Sequence, residues 1–113
     1  MDVDMLESEL AERLRQLCVE INRLRPGHVL YYHTYDSRRS PSGFPDVVLI
    51  VGPPECRRVI WVELKSAHGR LSRAQRQWMD ALHQAGQCAV VVRPRTWDLF
   101  RDWVIRNCRL EDA

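Results

Sequence analysis

Three short apolar segments, over residues 28–35, 46–51 and 58–65, follow one another with only short polar connections between them. The segments are rich in β-branched and aromatic residues, which favour strands. The connections are rich in Gly, Pro, Ser and Asp, which favour turns. Because short connections join antiparallel neighbours, the sequence predicts a three-stranded antiparallel meander that every other segment must accommodate.

A helical pattern precedes the meander. Residues 4–25 place Leu, Cys and Ile at steps of three and four, which predicts an amphipathic helix of about six turns. Pro26 and Gly27 follow directly and are expected to end it. The apolar side of this first helix is therefore expected to pack against the sheet.

A second helix and a fourth strand are expected after the meander. Ser72 and Gln75 have the spacing of a capping box, so a helix is predicted to begin there and to end near Gly86. Residues 88–92 are uniformly apolar and predict a strand buried on both faces. Thr96 is the expected N-cap of a last helix.

The expected fold class is α/β, with the order α-β-β-β-α-β plus a C-terminal helix and a mixed four-stranded sheet flanked by helices. We expect one domain over residues 1–113, with its core over about 10–94 and the last helix over about 96–110, because a chain of 113 residues supports one core. No apolar run reaches the length of a membrane span. Four cysteines without a CxxC pair favour reduced thiols and a cytoplasmic location.

A group of charged residues lies where two of the predicted strands end. Strand side chains alternate, so Glu63 and Lys65 are expected on one face, and Asp46 opens the neighbouring strand. Two carboxylates and the backbone carbonyl of Leu64 form a hard-oxygen set suited to Mg²⁺ or Mn²⁺. Lys65 is the single lysine beside sixteen arginines, and only lysine combines a compact charge with a proton it can release. The pattern indicates a site that hydrolyses phosphodiesters.

The order of these motifs resembles a known nuclease family. Pro45-Asp46 followed by Glu63-Leu64-Lys65 is similar to the signature of the PD-(D/E)XK nuclease superfamily. Gly43-x-Pro45-Asp46, Glu63-Leu64-Lys65-Ser66 and Gly69-Arg70-Leu71-Ser72-x-x-Gln75 together resemble the VRR-NUC family, the virus-type replication-repair nucleases, and its small stand-alone phage and bacterial members. The resemblance implies a restriction-endonuclease-like core.

The resemblance also implies roles for individual residues. Asp46 and Glu63 would bind the metal, Lys65 would be the catalytic lysine, and Gln75 would lie near the active site. The family's first-helix glutamate, which often completes the metal site, fits Glu12 because Gln16 follows four residues later. Glu9 and Glu20 remain alternatives for that role.

Three loop arginines are candidates for phosphate contacts. Arg38 and Arg39 lie before the second strand, and Arg70 lies after the third. Arginine binds phosphate oxygens in a bidentate manner, although solvent-exposed loop arginines without a ligand are equally common.

The function expected from this combination is a metal-dependent endonuclease acting on DNA, on branched, flap or junction intermediates of replication and repair. One alternative is a DNA-binding accessory module that keeps the nuclease fold but does not cleave. The other is a nuclease acting on RNA or on linear duplex. A homodimer is expected, because two-fold symmetry presents two active sites to two strands. A replication or repair helicase or polymerase is a possible partner.

Overall fold

The computed structural model describes residues 5–34 and 41–108. The elements follow the predicted order, as α1 (Glu7–Leu24), β1 (Val29–His33), β2 (Val47–Val51), β3 (Arg58–Leu64), α2 (Arg73–Gln84), β4 (Cys88–Val92) and α3 (Trp97–Asn107). A 3₁₀ turn, Pro94–Thr96, joins β4 to α3. Within the described ranges, no helix is both long and apolar enough to cross a lipid bilayer.

The described strands form one mixed sheet in the order β1-β2-β3-β4. β2 pairs with β1 and with β3 in antiparallel fashion, as the meander predicts. β4 pairs with β3 in parallel, since α2 carries the chain back to the same end of the sheet. The predicted mixed α/β architecture is confirmed.

The two faces of the sheet pack against different elements. One face, here called the core face, presents Val47, Leu49, Ile60 and Val62 to a single apolar cluster formed with α1 and α3. Residues that alternate with these point to the opposite face, here called the site face. The site face carries Trp61 and Glu63 together, and α2 lies over this side.

Several element boundaries differ from the predictions. α1 begins at Glu7 rather than at residue 4, and β2 begins at Val47 because Asp46 uses its carboxylate to accept a hydrogen bond from the backbone of β3. β4 has the predicted bounds but lies at the edge of the sheet, and its residues Val90 and Val91 are only half-buried. The strand is nevertheless covered on both faces, as expected, since Ala89 is buried on the site face and Val92 on the core face.

The capping predictions have different outcomes for the two later helices. At α2 the Ser72 hydroxyl accepts a hydrogen bond from the Gln75 N–H at 3.0 Å, and the Ser72 N–H donates to Gln75 Oε1 at 2.8 Å, so the capping box is confirmed. At α3 the Thr96 hydroxyl makes no cap and instead bonds the backbone of Arg93. The 3₁₀ turn accounts for the difference, because it brings Thr96 back over Arg93.

Gly43 holds the loop before β2 directly against the start of α2. Its φ is +84°, and a Cβ added there would lie 2.3 Å from the backbone carbon of Ala74 and 2.6 Å from the backbone nitrogen of Gln75. Both the left-handed conformation and the close approach require glycine. This contact fixes the distance between the loop that leads to Asp46 and the helix that carries Gln75.

We expect Gly43→Ala to destabilise the protein far more than Gly86→Ala. Gly86 also has a positive φ of 76°, but nothing lies within 4 Å of an added Cβ there, so it is a matched control. Gly86→Ala should cost about 1 kcal/mol for the backbone conformation. Gly43→Ala should cost about 2–4 kcal/mol, since overpacking adds roughly 1–3 kcal/mol. Urea unfolding of both variants measures this, and equal losses would show that the close approach is unimportant.

Candidate active site

Asp46 lies immediately before β2, where the ladder to β3 ends. Its Oδ2 accepts a hydrogen bond from the Leu64 N–H at 2.9 Å, and its backbone carbonyl accepts one from the Thr34 N–H at 2.9 Å. The side chain therefore takes the place of a backbone acceptor that the shortened β2 no longer supplies. Asp46 is fixed at both its main chain and its carboxylate.

Glu63 is the next carboxylate, on the site face of β3, and only 1% of its surface is exposed. Its Oε1 accepts a hydrogen bond from Gln75 Nε2 at 2.9 Å. Its Oε2 is buried and receives no hydrogen bond from the described residues. A buried oxygen without a donor is costly unless a ligand satisfies it, so Oε2 is available to a cation.

The surroundings of Glu63 oppose its ionisation. Burial, the ability of Glu63 to share a proton with the Asp46 carboxyl group, and the negative charge of Asp46 together raise the pKa of Glu63 from 4.5 to about 9. The positive charge of Lys65 lowers the pKa of Glu63, and the nearby Glu7 raises it. Two carboxyl groups in contact favour a shared proton or a bound cation, which compensates the negative charge that both carry when ionised.

Lys65 directly follows β3 and is nearly buried, with 8% of its surface exposed. Its N–H donates to the carbonyl of Val92 at 3.0 Å, which extends the parallel pairing of β3 with β4 by one residue. Its Nζ lies 4.0 Å from Oε1 of Glu7. The structure thus brings Asp46, Glu63 and Lys65 together at one end of the sheet, in the arrangement expected from strand alternation.

Gln75 has two structural roles at once. Its Oε1 accepts the Ser72 N–H within the capping box, while its Nε2 donates to Glu63. The amide has a donor group and an acceptor group, so one side chain serves both the helix start and the buried carboxylate. The capping box and the proximity to the site, which the sequence suggested separately, are therefore one arrangement.

The ring of Phe44 packs the loop before Asp46 against the site face. Its ring makes edge-on contacts with Trp61 of β3, at 6.1 Å between centroids, and with Trp78 of α2, at 5.1 Å. Trp78 also donates its indole N–H to the carbonyl of Ser42 at 3.1 Å. A cavity of about 350 Å³ opens beside this loop, lined by Thr34, Pro41, Ser42, Gly43, Phe44, Asp46 and Gln75.

Glu7 is the first-helix acid that the structure places beside Lys65, with Oε1 at 4.0 Å from Nζ, and it was not among the predicted residues. Glu7 lies three residues before the buried Leu10, so it shares the side of α1 that faces the sheet. The predicted Glu12 is exposed, and its carboxylate binds the side chains of Arg15, at 2.6 Å, and Gln16. The helical phase of Leu10 is the sequence signal that distinguishes the two acids.

The other two first-helix acids have different contacts. Glu9 accepts a hydrogen bond from the Leu6 N–H at 2.7 Å and so caps α1. Glu20 is exposed and pairs with Arg23 at 2.6 Å. Neither is among the groups that influence the pKa of Glu63, whereas Glu7 is.

The donor set at the cluster suits a hard divalent cation. Asp46 and Glu63 offer carboxylate oxygens, and the N–H and carbonyl of a strand residue point to the same neighbouring strand, so the Leu64 carbonyl lies on the side of Asp46. In the described part of the chain, no three His, Cys, Asp or Glu residues converge to form a complete protein cage. Mg²⁺ usually binds in this way, through one or two carboxylates and several waters.

The remaining candidates lie at the margin of the site or away from it. Arg70 is exposed, shortly after the turn that follows Lys65, whereas Arg38 and Arg39 lie outside the described residues. His33 stacks on Tyr31 and lines a separate cavity with α1, on the core face. The aromatic residues of α3 also belong to the core-face cluster.

The raised pKa of Glu63 predicts a specific pH dependence of stability in the metal-free protein. Between pH 4.5 and about 9 the folded state holds a proton at Glu63 that the unfolded chain has released. The free energy of unfolding therefore falls as the pH rises through this window. Glu63→Gln should flatten the slope, because the amide carries no titrating proton.

Urea unfolding in EDTA across this range measures the slope. Glu12→Gln is the control, since its carboxyl is exposed and the variant should retain the wild-type dependence. An unchanged slope in Glu63→Gln would contradict the assignment of the buried proton to Glu63.

Comparison with known proteins agrees with the fold described above. The solved structure of a chain described as a VRR_NUC domain protein superposes with a TM-score of 0.56 at 18% identity, over 87% of this chain and 88% of that chain. At this identity the likeness concerns the fold. No curated protein matches the chain. The family model of the VRR-NUC domain matches residues 3–95, so the chain belongs to the VRR-NUC family and is a nuclease domain.

Proposed function

We propose that this protein is a divalent-metal-dependent endonuclease that hydrolyses phosphodiester bonds in DNA, with branched, flap or junction intermediates of replication and repair as its substrates. One observation carries the proposal. The carboxylate of Glu63 is buried beside Asp46, one of its oxygens has no donor among the described residues, and Lys65 lies two residues later, directly after the same strand. A fold has no structural need for this arrangement, because an unpaired buried carboxylate destabilises it.

Asp46, Glu63 and the Leu64 carbonyl would hold Mg²⁺ or Mn²⁺. The bound cation would supply charge neutralisation at a phosphate oxygen and a lowered pKa for a bound water. Gln75 keeps Glu63 in place through its 2.9 Å hydrogen bond, and the Leu64 N–H does the same for Asp46. The ligands are thus oriented by rigid elements before the substrate arrives.

Lys65 places a positive charge directly after β3, where it acts on the carboxyl group of Glu63. Its ammonium orients the attacking water and stabilises the negative charge that develops on the phosphate as the bond to the leaving oxygen breaks. Only 8% of the Lys65 surface is exposed, so the side chain has little freedom to move away from the site. Arginine carries the same charge in a wider planar group that does not release a proton, so it cannot replace lysine here.

Charge favours a nucleic acid as the substrate. Arg70 is exposed beside the site, and the net charge of +2 favours a polyanionic partner. The resemblance to small phage and bacterial nucleases supports a bacterial or phage-infected cytoplasm, where a helicase or polymerase would deliver branched DNA. Cleavage of RNA or linear duplex, or DNA binding without cleavage, are the outcomes that would replace this proposal.

Lys65→Arg and Asp46→Asn should each abolish most cleavage while DNA binding persists. General acid–base and electrostatic contributions at such sites are worth about 10²–10⁴-fold, so we expect losses in that range. The assay uses labelled hairpin, flap, four-way junction, single-stranded DNA and RNA, with Mg²⁺, Mn²⁺ or EDTA. Glu20→Gln, an exposed carboxylate on α1, is the control and should keep full activity.

Two results would contradict this proposal. Binding of DNA without metal-dependent cleavage of any substrate would favour the accessory-module alternative. Cleavage that survives both substitutions would place the active site elsewhere in the chain or in a contaminant.

Glu7→Gln and Glu12→Gln distinguish the two first-helix candidates. The two acids are on the same helix, both are exposed, and the substitution is the same, so each variant controls the other. We expect Glu7→Gln to lower cleavage about tenfold or more and to raise the Mg²⁺ concentration needed, because Glu7 lies beside Lys65. Glu12→Gln should change neither value. The reverse pattern would restore Glu12 as the residue that completes the site.

We also propose the homodimer that the sequence analysis expects. It is supported by the exposed apolar part of the site face on β1, where Leu30 is 49% and Tyr32 61% exposed. Light scattering should give twice the mass of one chain, and Tyr32→Glu should give the mass of one chain. A wild-type monomer at working concentration would refute the dimer without affecting the proposed chemistry.

A further inference from the structure

Arg93 occupies a fixed position directly after β4. Its N–H donates to the hydroxyl of Thr96 at 3.1 Å, and its carbonyl accepts from the N–H and the hydroxyl of Thr96 at 3.0 and 3.2 Å. The following residue is the buried Pro94, which restricts Arg93 to the extended conformation observed, with φ −120° and ψ 164°. The side chain of Arg93 therefore starts from a backbone that has little freedom.

The guanidinium of Arg93 closes the turn that follows Lys65. Its Nη1 donates to the carbonyl of Ser66 at 2.8 Å and to the carbonyl of Gly69 at 2.6 Å. Within the turn, the Gly69 N–H approaches the Ser66 carbonyl at 3.3 Å. Both ends of the turn are thus held by one charged group, and charge-assisted hydrogen bonds of this kind are among the stronger ones in proteins.

The turn of residues 66–69 limits the space around Lys65. A Cβ added to Gly69 would lie 3.6 Å from Cδ of Lys65 and 3.6 Å from Oε1 of Glu7. Gly69 is therefore close to the Lys65 side chain and to the carboxylate of Glu7, whose Oε1 lies 4.0 Å from Nζ of Lys65. β4 also holds the backbone of Lys65, because the Lys65 N–H donates a hydrogen bond to the carbonyl of Val92, the residue before Arg93.

From these contacts we infer that Arg93 is a positioning residue for the catalytic lysine, a role that rests on the function proposed above. Arg93 carries no part of the reaction. It fixes the 66–69 turn so that the turn holds Lys65 in the direction of Asp46 and Glu63. The two hydrogens of one guanidinium nitrogen diverge in a plane, which suits two carbonyl acceptors better than a compact ammonium does.

The single lysine of the chain makes this inference directly measurable. Growth on ¹³C-labelled lysine gives one Cε signal in the NMR spectrum, and that signal belongs to Lys65. Arg93→Ala should shift and broaden it in the metal-free protein, with no substrate present. Arg95→Ala is the matched control, since Arg95 is exposed two residues later in the same segment, and it should leave the signal unchanged.

Kinetics then separate positioning from substrate contact. Displacement of a catalytic group by about 1 Å can cost about 10²-fold, so Arg93→Ala should lower kcat by tenfold or more while KM and DNA binding in EDTA stay unchanged. Arg93→Lys, which keeps the charge and much of the stem, should restore part of kcat and part of the signal position. It also serves as the folded variant if Arg93→Ala unfolds.

The outcomes are distinct. A Lys65 signal that stays at its wild-type position in folded Arg93 variants would overturn the inference, and so would weaker DNA binding with unchanged kcat, which would make Arg93 a phosphate contact. A shifted signal in a protein that cleaves no substrate would support the placement of Lys65 by Arg93 and overturn the proposed function instead.

Discussion

The burial of the Glu63 carboxylate against Asp46 is the constraint around which this domain is arranged. A strand in the middle of a sheet normally presents apolar residues on both faces, and an acid with 1% exposure requires compensation. Gln75 donates to one of its oxygens, and the other has no donor within the described part of the chain. The protein thus holds the Glu63 carboxyl group in place without fully compensating its negative charge, as is expected of a cation-binding site.

Three elements meet at this constraint, and each is held by a different kind of contact. The loop before β2 reaches α2 through the glycine backbone at Gly43 and through the ring of Phe44 between two tryptophans. The start of α2 is tied to β3 by Gln75. The turn after β3 is closed by Arg93, which directly follows β4. Displacement of any of these elements would therefore move a charged group.

The sequence predicted the part of the site that depends on local periodicity. Strand alternation put Glu63 and Lys65 on one face, and the order of the strands put Asp46 beside them. The place of Gln75 near the site came from the resemblance to the VRR-NUC family, whereas its spacing to Ser72 predicted only the capping box. Glu7 was missed because the choice of Glu12 followed a spacing to Gln16, although the phase of Leu10 on α1 favours Glu7. That signal was present in the sequence.

Other features could not be predicted from local patterns. The role of Arg93 depends on carbonyl groups more than twenty residues away, and only the folded chain brings them together. Thr96 was expected to cap α3, but the 3₁₀ turn directs its hydroxyl to Arg93. The edge position of β4 is likewise a property of the whole sheet, since an apolar strand has the same local pattern at its edge or in its middle.

The central claim is that Asp46, Glu63 and the Leu64 carbonyl form one cation site beside Lys65. Crystals soaked in Mn²⁺ test it most directly, because anomalous scattering locates the ion without reference to activity. The account predicts a peak between the two carboxylates, at close to the ~2.1 Å typical of small divalent cations bound to oxygen, and its loss in Asp46→Asn. A saturated crystal with no peak there, or with a peak that persists in Asp46→Asn, would contradict it.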